Sequence, residues 1–304
     1  MNTESVLEKK VKRIESLLDI SKIIDREANS AKDIRKYFRV NHLAYKMFHS
    51  DMGFMHFRVT KGDKISSEDI LYQPNVISSY IGKGATVVEL GPGQGSNSFY
   101  LAKKHPDASF IGVDLNPPKL KKSDPKNVKF YKHDYSDLSF IESNSVDVVF
   151  GIETIVYCSD KTKVFREVAR ILKENGILIV HDYALVHPLE SYAPYEQTAM
   201  KLISKCGASA LIESAEAWSS YLKEAGLTEV KTTDLHKETL PDLKQLEHKA
   251  DHIMKKDLRV KLTFALLPYH FVNNILIGWL GYDACKEGLG YYNEWIYTKA
   301  KKEV

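Results

Sequence analysis

From Ala85 onward the chain alternates short β-branched runs with amphipathic stretches, and few architectures accept that rhythm. The runs are ATVVEL, ASFIGVD, NVKFYKHD, SVDVVFGIE and GILIVHDY, with helical periodicity over Ser96 to Lys104 and Lys161 to Leu172 between them. Strand-helix alternation of this kind places the strands in a parallel sheet covered by helices on both faces. The pattern continues with a helix around Ala217 to Glu224 closed by Gly226, a strand near Glu229 to Leu235 and a last strand near Tyr292 to Thr298.

Two segments depart from the alternation. Residues 1–80 read as helical, with Val6, Leu7, Val11, Ile14, Leu17 and Leu18 at three- and four-residue steps before an aromatic-rich stretch from Tyr37 to Phe57. A second helical segment, about Pro241 to Gly288, precedes the last strand. The expected organisation is a lid region over 1–80, a sheet domain over 81–240 and 289–304, and a helical cap over 241–288. The one membrane-like run, Leu262 to Leu280, is broken by Pro268, His270, Asn273 and Asn274, and reads as a packed cap helix or helix pair. The first residues mix charged with apolar positions and lack the apolar stretch of a secretory signal, so a cytoplasmic protein is expected.

Composition narrows the partners. The 304 residues carry 43 Lys+Arg against 40 Asp+Glu, and this near balance makes no field that argues for nucleic acid or an anionic membrane as a default partner. The run Lys119, Lys121, Lys122, Lys126 is the one candidate basic groove, and it reads as a solvated loop. Cys158, Cys206 and Cys285 are far apart and form no CxxC pair, so neither a disulfide framework nor a metal site is expected.

The most informative stretch is Val87-Val88-Glu89-Leu90-Gly91-Pro92-Gly93-Gln94-Gly95, a strand entering a glycine turn and then a helix. Glycines there let backbone approach a ligand closely, and the helix start offers N–H groups to an anion. Gly91, Gly93 and Gly95 are evenly spaced, and Ser96 occupies the position where a dinucleotide fingerprint has its third glycine, which disfavours a dehydrogenase. Asp114 ends the next strand, where a carboxylate can accept both hydroxyls of a ribose, and Asp134 ends the third, where an adenine edge would lie.

VVELGPGQG, then VD, then HD resembles the class I S-adenosylmethionine-dependent methyltransferases. That resemblance covers about residues 80–182 and implies an α/β fold, a doubly wound, mostly parallel seven-stranded Rossmann-like sheet, with the N-terminal helices and the helical insert as a cap. It implies S-adenosylmethionine as cofactor. Gly91, Gly93 and Gly95 would lie against its methionyl part, with Glu89 orienting the turn and the amino group. Asp114, with Leu115 beside it, would hold the ribose; Asp134 and Tyr135 would border the adenine, and Gly151 would end the fourth strand beside the site.

GIETIVYCSDKTKVFREVARILKENGILIVHDY resembles more narrowly the sterol and tocopherol C-methyltransferases and their bacterial relatives. The Asn-Pro-Pro-aromatic sequence of base-amino methyltransferases is missing after the fourth strand; Asn116-Pro117-Pro118 follows the second strand and reads as a helix-start turn. MHFRVT, Met55 to Thr60, resembles the His-aromatic element ahead of the cofactor domain in these relatives, with Arg58 and Val59 where they continue with Gly and an aromatic.

The expected acceptor is a small lipophilic molecule. Glu153 is the first candidate for a catalytic carboxylate, with His56 and His49 as alternative bases. Tyr37, Tyr45, Phe57, Tyr183, His181 and Tyr269 are the candidate acceptor contacts, with His270, Phe271 and Trp279 further lid material. O- or N-methylation of another small metabolite and a catalytically silent cofactor-binding protein are the competing readings. Arsenite methylation would need the three thiols to converge. A homodimer is left open.

Overall fold

The computed structural model describes residues 4–26, 30–48, 53–62 and 64–300. Its centre is a seven-stranded sheet of order β3-β2-β1-β4-β5-β7-β6. The strands are β1 Thr86–Leu90, β2 Ser109–Asp114, β3 Val128–Lys132, β4 Val146–Ile152, β5 Leu172–Leu185, β6 Leu227–Asp234 and β7 Gly290–Lys299. The first five pair in parallel, whereas β7 runs antiparallel between β5 and β6. This is the mostly parallel, doubly wound architecture that the alternation and the family resemblance lead one to expect.

Helices α4 Tyr72–Ser78 and α5 Ser96–Lys104 cover one face of the sheet, where Ile77 and Leu101 pack with Val87, Phe110 and Phe150. On the other face α6 Lys161–Ile171 and α8 Ala215–Glu224 bury Phe165, Val168 and Trp218 against Val88, Val149 and Leu178. Trp218 stacks on Trp295 of β7 with ring centroids 4.8 Å apart, fastening α8 to the antiparallel strand. Asp160 caps α6 by accepting the N–H of Lys163 at 2.9 Å, so the first turn is aligned at the end of the β4 loop.

The remaining helices form a second layer with its own core. They are α1 Val6–Leu17, α2 Ser21–Ile24, α3 Ala31–Phe48, α7 Pro194–Cys206, α9 His236–Met254, α10 Asp257–Leu266 and α11 Tyr269–Lys286. Leu7, Val11 and Ile14 of α1 share a buried cluster with Met200 and Leu202 of α7, Met254 of α9 and Leu276 and Leu280 of α11. Front helices and insert thus merge into one cap, held also by Lys10, which lies 2.6 Å from both Glu247 and Asp283.

Three local expectations are corrected. Residues 53–60 are not helical: they form an irregular segment whose Phe57 N–H bonds Glu153 after β4 and whose Thr60 N–H bonds Glu238 O. Helix α7 lies between β5 and α8, where no element was expected; Pro194 opens it and Glu196 accepts the Ala193 N–H. Asn116-Pro117-Pro118 starts no helix, since the whole β2–β3 connection is irregular. Its Asn116 N–H instead bonds Asp114 Oδ1 at 2.7 Å.

Candidate active site

A cavity of about 840 Å³ lies at the carboxyl ends of β1 to β4. Its floor is the glycine turn. Gly91 and Gly93 take φ of +65° and +53°, a region L side chains rarely enter; a Cβ on Gly91 would strike Thr154, and one on Gly93 would lie 3.5 Å from Met55 Sδ. Gly93 donates its N–H to Asp114 Oδ2 at 3.1 Å, which locks the acid to the turn. With Asn116 on its other oxygen, Asp114 still has lone pairs for a ligand, and burial raises its pKa from the ordinary value against these two N–H donors.

Leu115, Asp134 and Tyr135 line the same cavity. The Tyr135 hydroxyl donates to Thr154 O at 2.8 Å and so also braces the β4 loop. Gly95 lies just outside as the left-handed residue before α5, where a Cβ would come 2.8 Å from Phe130. Gly151 is inside β4, packed against Thr154 and Ile155 rather than on the cavity wall. Glu89, 3% exposed, is likewise behind the wall. It accepts from the Ser98 hydroxyl and from Asn97 Nδ2 at 3.3 Å, and Asn97 is the side chain that reaches the cavity. Burial pushes the Glu89 carboxyl up to about 7, against these two donors.

Glu153 follows β4 in a left-handed backbone conformation, φ +48°, unusual for a non-glycine residue. Its N–H is held by His181 O at 2.7 Å, and its Oε1 accepts the Phe57 N–H at 2.7 Å. Burial raises its pKa to about 8; Asp182 adds to the rise, while the Phe57 N–H and the phenols of Tyr183 and Tyr292 oppose it. The loop after it is fixed from below, because Asp182 Oδ2 accepts the N–H groups of Thr154, Ile155 and Val156 at 2.8 to 3.2 Å.

A second, apolar cavity of about 330 Å³ lies within the cap, between α3, α7, α9 and α11. Met55, Glu153 and Tyr157 line both cavities, so the carboxyl of Glu153 stands at their junction. Tyr37, Phe57 and Tyr183 line the apolar cavity, and Tyr37 donates to Asn274 Oδ1 at 2.7 Å. His56 lines the larger one, with Nδ1 3.2 Å from Phe57 O and Nε2 3.3 Å from Asn97 Oδ1. A neutral ring carries one N–H and donates to one of these two oxygens, at the end of the Glu89–Asn97 chain.

Two of the candidate acceptor contacts line neither cavity. His181 is fully buried inside the sheet, 3.2 Å from Glu294 of β7, because the central β5 points its side chains into packed layers on both faces. Burial lowers its pKa, against the neighbouring Glu294 carboxylate. Tyr269, in the first turn of α11, faces Arg26, whose guanidinium lies 4.3 Å from the ring centre. His49 and the side chain of Tyr45 lie outside the described residues. The thiols do not gather: Cys158 lines the larger cavity, Cys285 the apolar one, and Cys206 is buried in the cap core. Met55, Asn97 and Tyr157 went unread as site residues. Their signal was only their place beside the His-aromatic element, the glycine turn and Glu153.

Residues 81–257, more than half of the chain, match the family described as a methyltransferase domain. The chain belongs to this methyltransferase domain family. It is 31% identical over 169 residues to the 2-methyl-6-phytyl-1,4-hydroquinone methyltransferase of Synechocystis, a match covering 52% of each chain. It is 26% identical over 202 residues to phosphoethanolamine N-methyltransferase 1 of Arabidopsis thaliana, covering 64% of this chain and 38% of that one. The chain therefore spans about half or less of the length of these methyltransferases. Among solved structures, mycolic acid cyclopropane synthase complexed with S-adenosylhomocysteine superposes with a TM-score of 0.71 at 15% identity, over 88% of this chain and 98% of that chain.

S-adenosylmethionine is the cofactor of this methyltransferase family. The residues present fit it. The Gly91-Pro92-Gly93 turn brings backbone to the cavity wall, Asp114 retains acceptor capacity, and the cavity has the size of a nucleoside-bearing ligand.

Proposed function

We propose that the protein transfers a methyl group from S-adenosylmethionine to a small lipophilic acceptor seated in the apolar cavity of the cap. The observation that carries this reading is the junction at Glu153, where the cavity at the strand tips, which holds Asn97, Asp114 and Asp134, meets the more apolar one of the cap. The phytyl chain in the name of the hydroquinone methyltransferase supports the acceptor class.

In this reading Asp114 holds the ribose hydroxyls, Asp134 and Tyr135 border the adenine, and the backbone of Gly91 and Gly93 meets the methionyl part. The cofactor supplies an electrophilic methyl on a positively charged sulfur. Phe57, Tyr183 and Tyr37 orient the acceptor and exclude water, which supplies much of the acceleration for an in-line displacement. Glu153 is protonated in its buried setting at neutral pH and ionises when a cation is placed beside it. As a carboxylate at the cavity junction it stabilises positive charge on the acceptor or removes the displaced proton.

The test is S-adenosylhomocysteine release with a panel of prenylated quinols, sterols and linear isoprenoids, alongside calorimetric cofactor binding. Asp114→Ala is expected to weaken cofactor binding more than tenfold, while Glu153→Gln keeps binding and lowers turnover. Equal binding losses from the two variants would overturn the division of roles. Tight cofactor binding with no product from any acceptor would favour the silent binding protein.

A further inference from the structure

Helix α10 joins α9 to α11 and carries a row of leucines facing solvent. Leu258, Leu262 and Leu266 are 69%, 50% and 76% exposed, and Leu267 just beyond is 44% exposed. Spaced four apart, the first three line one side of the helix, while Val260 and the partly buried Phe264 face the cap core from the opposite side. Arg259 and Lys261 flank the leucine row, one on each side at 3.6 residues per turn, and Lys256 precedes it. The nearby acids are already neutralised: Asp257 pairs with Arg13 at 2.8 Å and Asp251 with Lys255 at 2.6 Å. An apolar row bordered by cations is unusual on a free protein surface.

We infer that α10 docks on the surface of a lipid bilayer carrying anionic lipids, with its leucines entering the acyl boundary and its cations on the headgroups. Ten residues span about 15 Å, which suits a helix lying in the interface and is too short to cross a bilayer. Among the described residues no helix is long and apolar enough to span a membrane. Lys and Arg on either flank extend their charged ends to the headgroups while their stems lie along the apolar phase. A second copy fits less well, since a two-fold pairing of this face would bring the two cationic borders together. The apolar cavity supports the bilayer: its lining reaches Ile253 and Phe271, next to the two ends of α10. The docked helix would thus hold the acceptor cavity against the phase in which a lipophilic acceptor dissolves. In that respect alone the inference rests on the proposed reaction.

Vesicle co-sedimentation of the full chain, without cofactor or acceptor, tests it apart from any turnover. Binding is expected to vesicles of phosphatidylcholine mixed with phosphatidylglycerol, to weaken with added salt, and to be much lower with phosphatidylcholine alone. Replacing Leu258, Leu262 and Leu266 together by Glu should weaken binding about tenfold or more, with thermal melts showing that the fold is kept. Lys256→Glu with Lys261→Glu should remove the preference for anionic vesicles and serves if the leucine variant fails to fold. No binding to the mixed vesicles overturns the inference. So does binding indifferent to both variants, or a dimer in solution that the leucine variant dissociates.

Discussion

Glu153 concentrates most of what this site can do. A carboxyl that ionises near 4.5 in an open chain and near 8 in the fold is protonated in the folded state over a range where the unfolded chain has lost the proton. Folding stability from this residue is therefore fully present below about pH 4.5 and drains away as pH rises toward about 8. Melting temperatures followed across that interval should fall more steeply for the wild type than for Glu153→Gln, which keeps the neutral shape. Turnover should move the other way, rising to a plateau as the carboxyl ionises, and the Gln variant should lose that limb. Glycine turn and acids were legible because their chemistry is local: Gly91, Gly93 and Asp114 sit within a strand-turn unit that the residue types alone define. His181 was misplaced for a non-local reason. Only the insertion of β7 beside β5 buries both faces at that position, and no local pattern reveals it.

At the scale of elements, the strand-helix units were readable and the irregular connections were not. Helix α7 had a local signal, a Pro-led start with Glu196 positioned to cap it, but it interrupts the strand-helix order that was being followed. Asn116-Pro117-Pro118 resembles a helix start, yet Asp114 captures the Asn116 N–H and a turn results. The turn after β1 is the element with least tolerance. A Cβ on Gly91 would come 2.0 Å from Thr154 Oγ1, and Thr154 cannot retreat because Asp182 holds its N–H. Gly91→Ala combines a disfavoured φ with overpacking and should cost about 2 to 4 kcal/mol in urea denaturation. The displaced Thr154 loop should carry Glu153 with it, so turnover should fall further than stability alone predicts.

Across the whole molecule, two cores share one chain. The sheet core is continuous with α4, α5, α6 and α8, whereas the cap core joins residues near the N-terminus to the insert before β7. Sequence periodicity separated those two helical regions without showing that they pack together, since nothing local links Leu7 to Leu280. Lys10, buried with Glu247 and Asp283, is one polar tie between them, beside Arg13 with Asp257 and Tyr37 with Asn274. Lys10→Ala would leave the buried Asp283 without its counter-charge, while Glu247 keeps Lys244, and should cost about 3 to 5 kcal/mol. Hydrogen exchange should show the loss in α1, α9 and α11 before it reaches the sheet.

The antiparallel β7 has a consequence for synthesis. It alone joins β6 to β5, so a nascent polypeptide that has emerged through β6 and all three insert helices still lacks the partner those segments close upon. The early strands can assemble while the ribosome is translating, but the far edge must wait for the final ribbon to thread into its slot, leaving β6 open to chaperones in the interval.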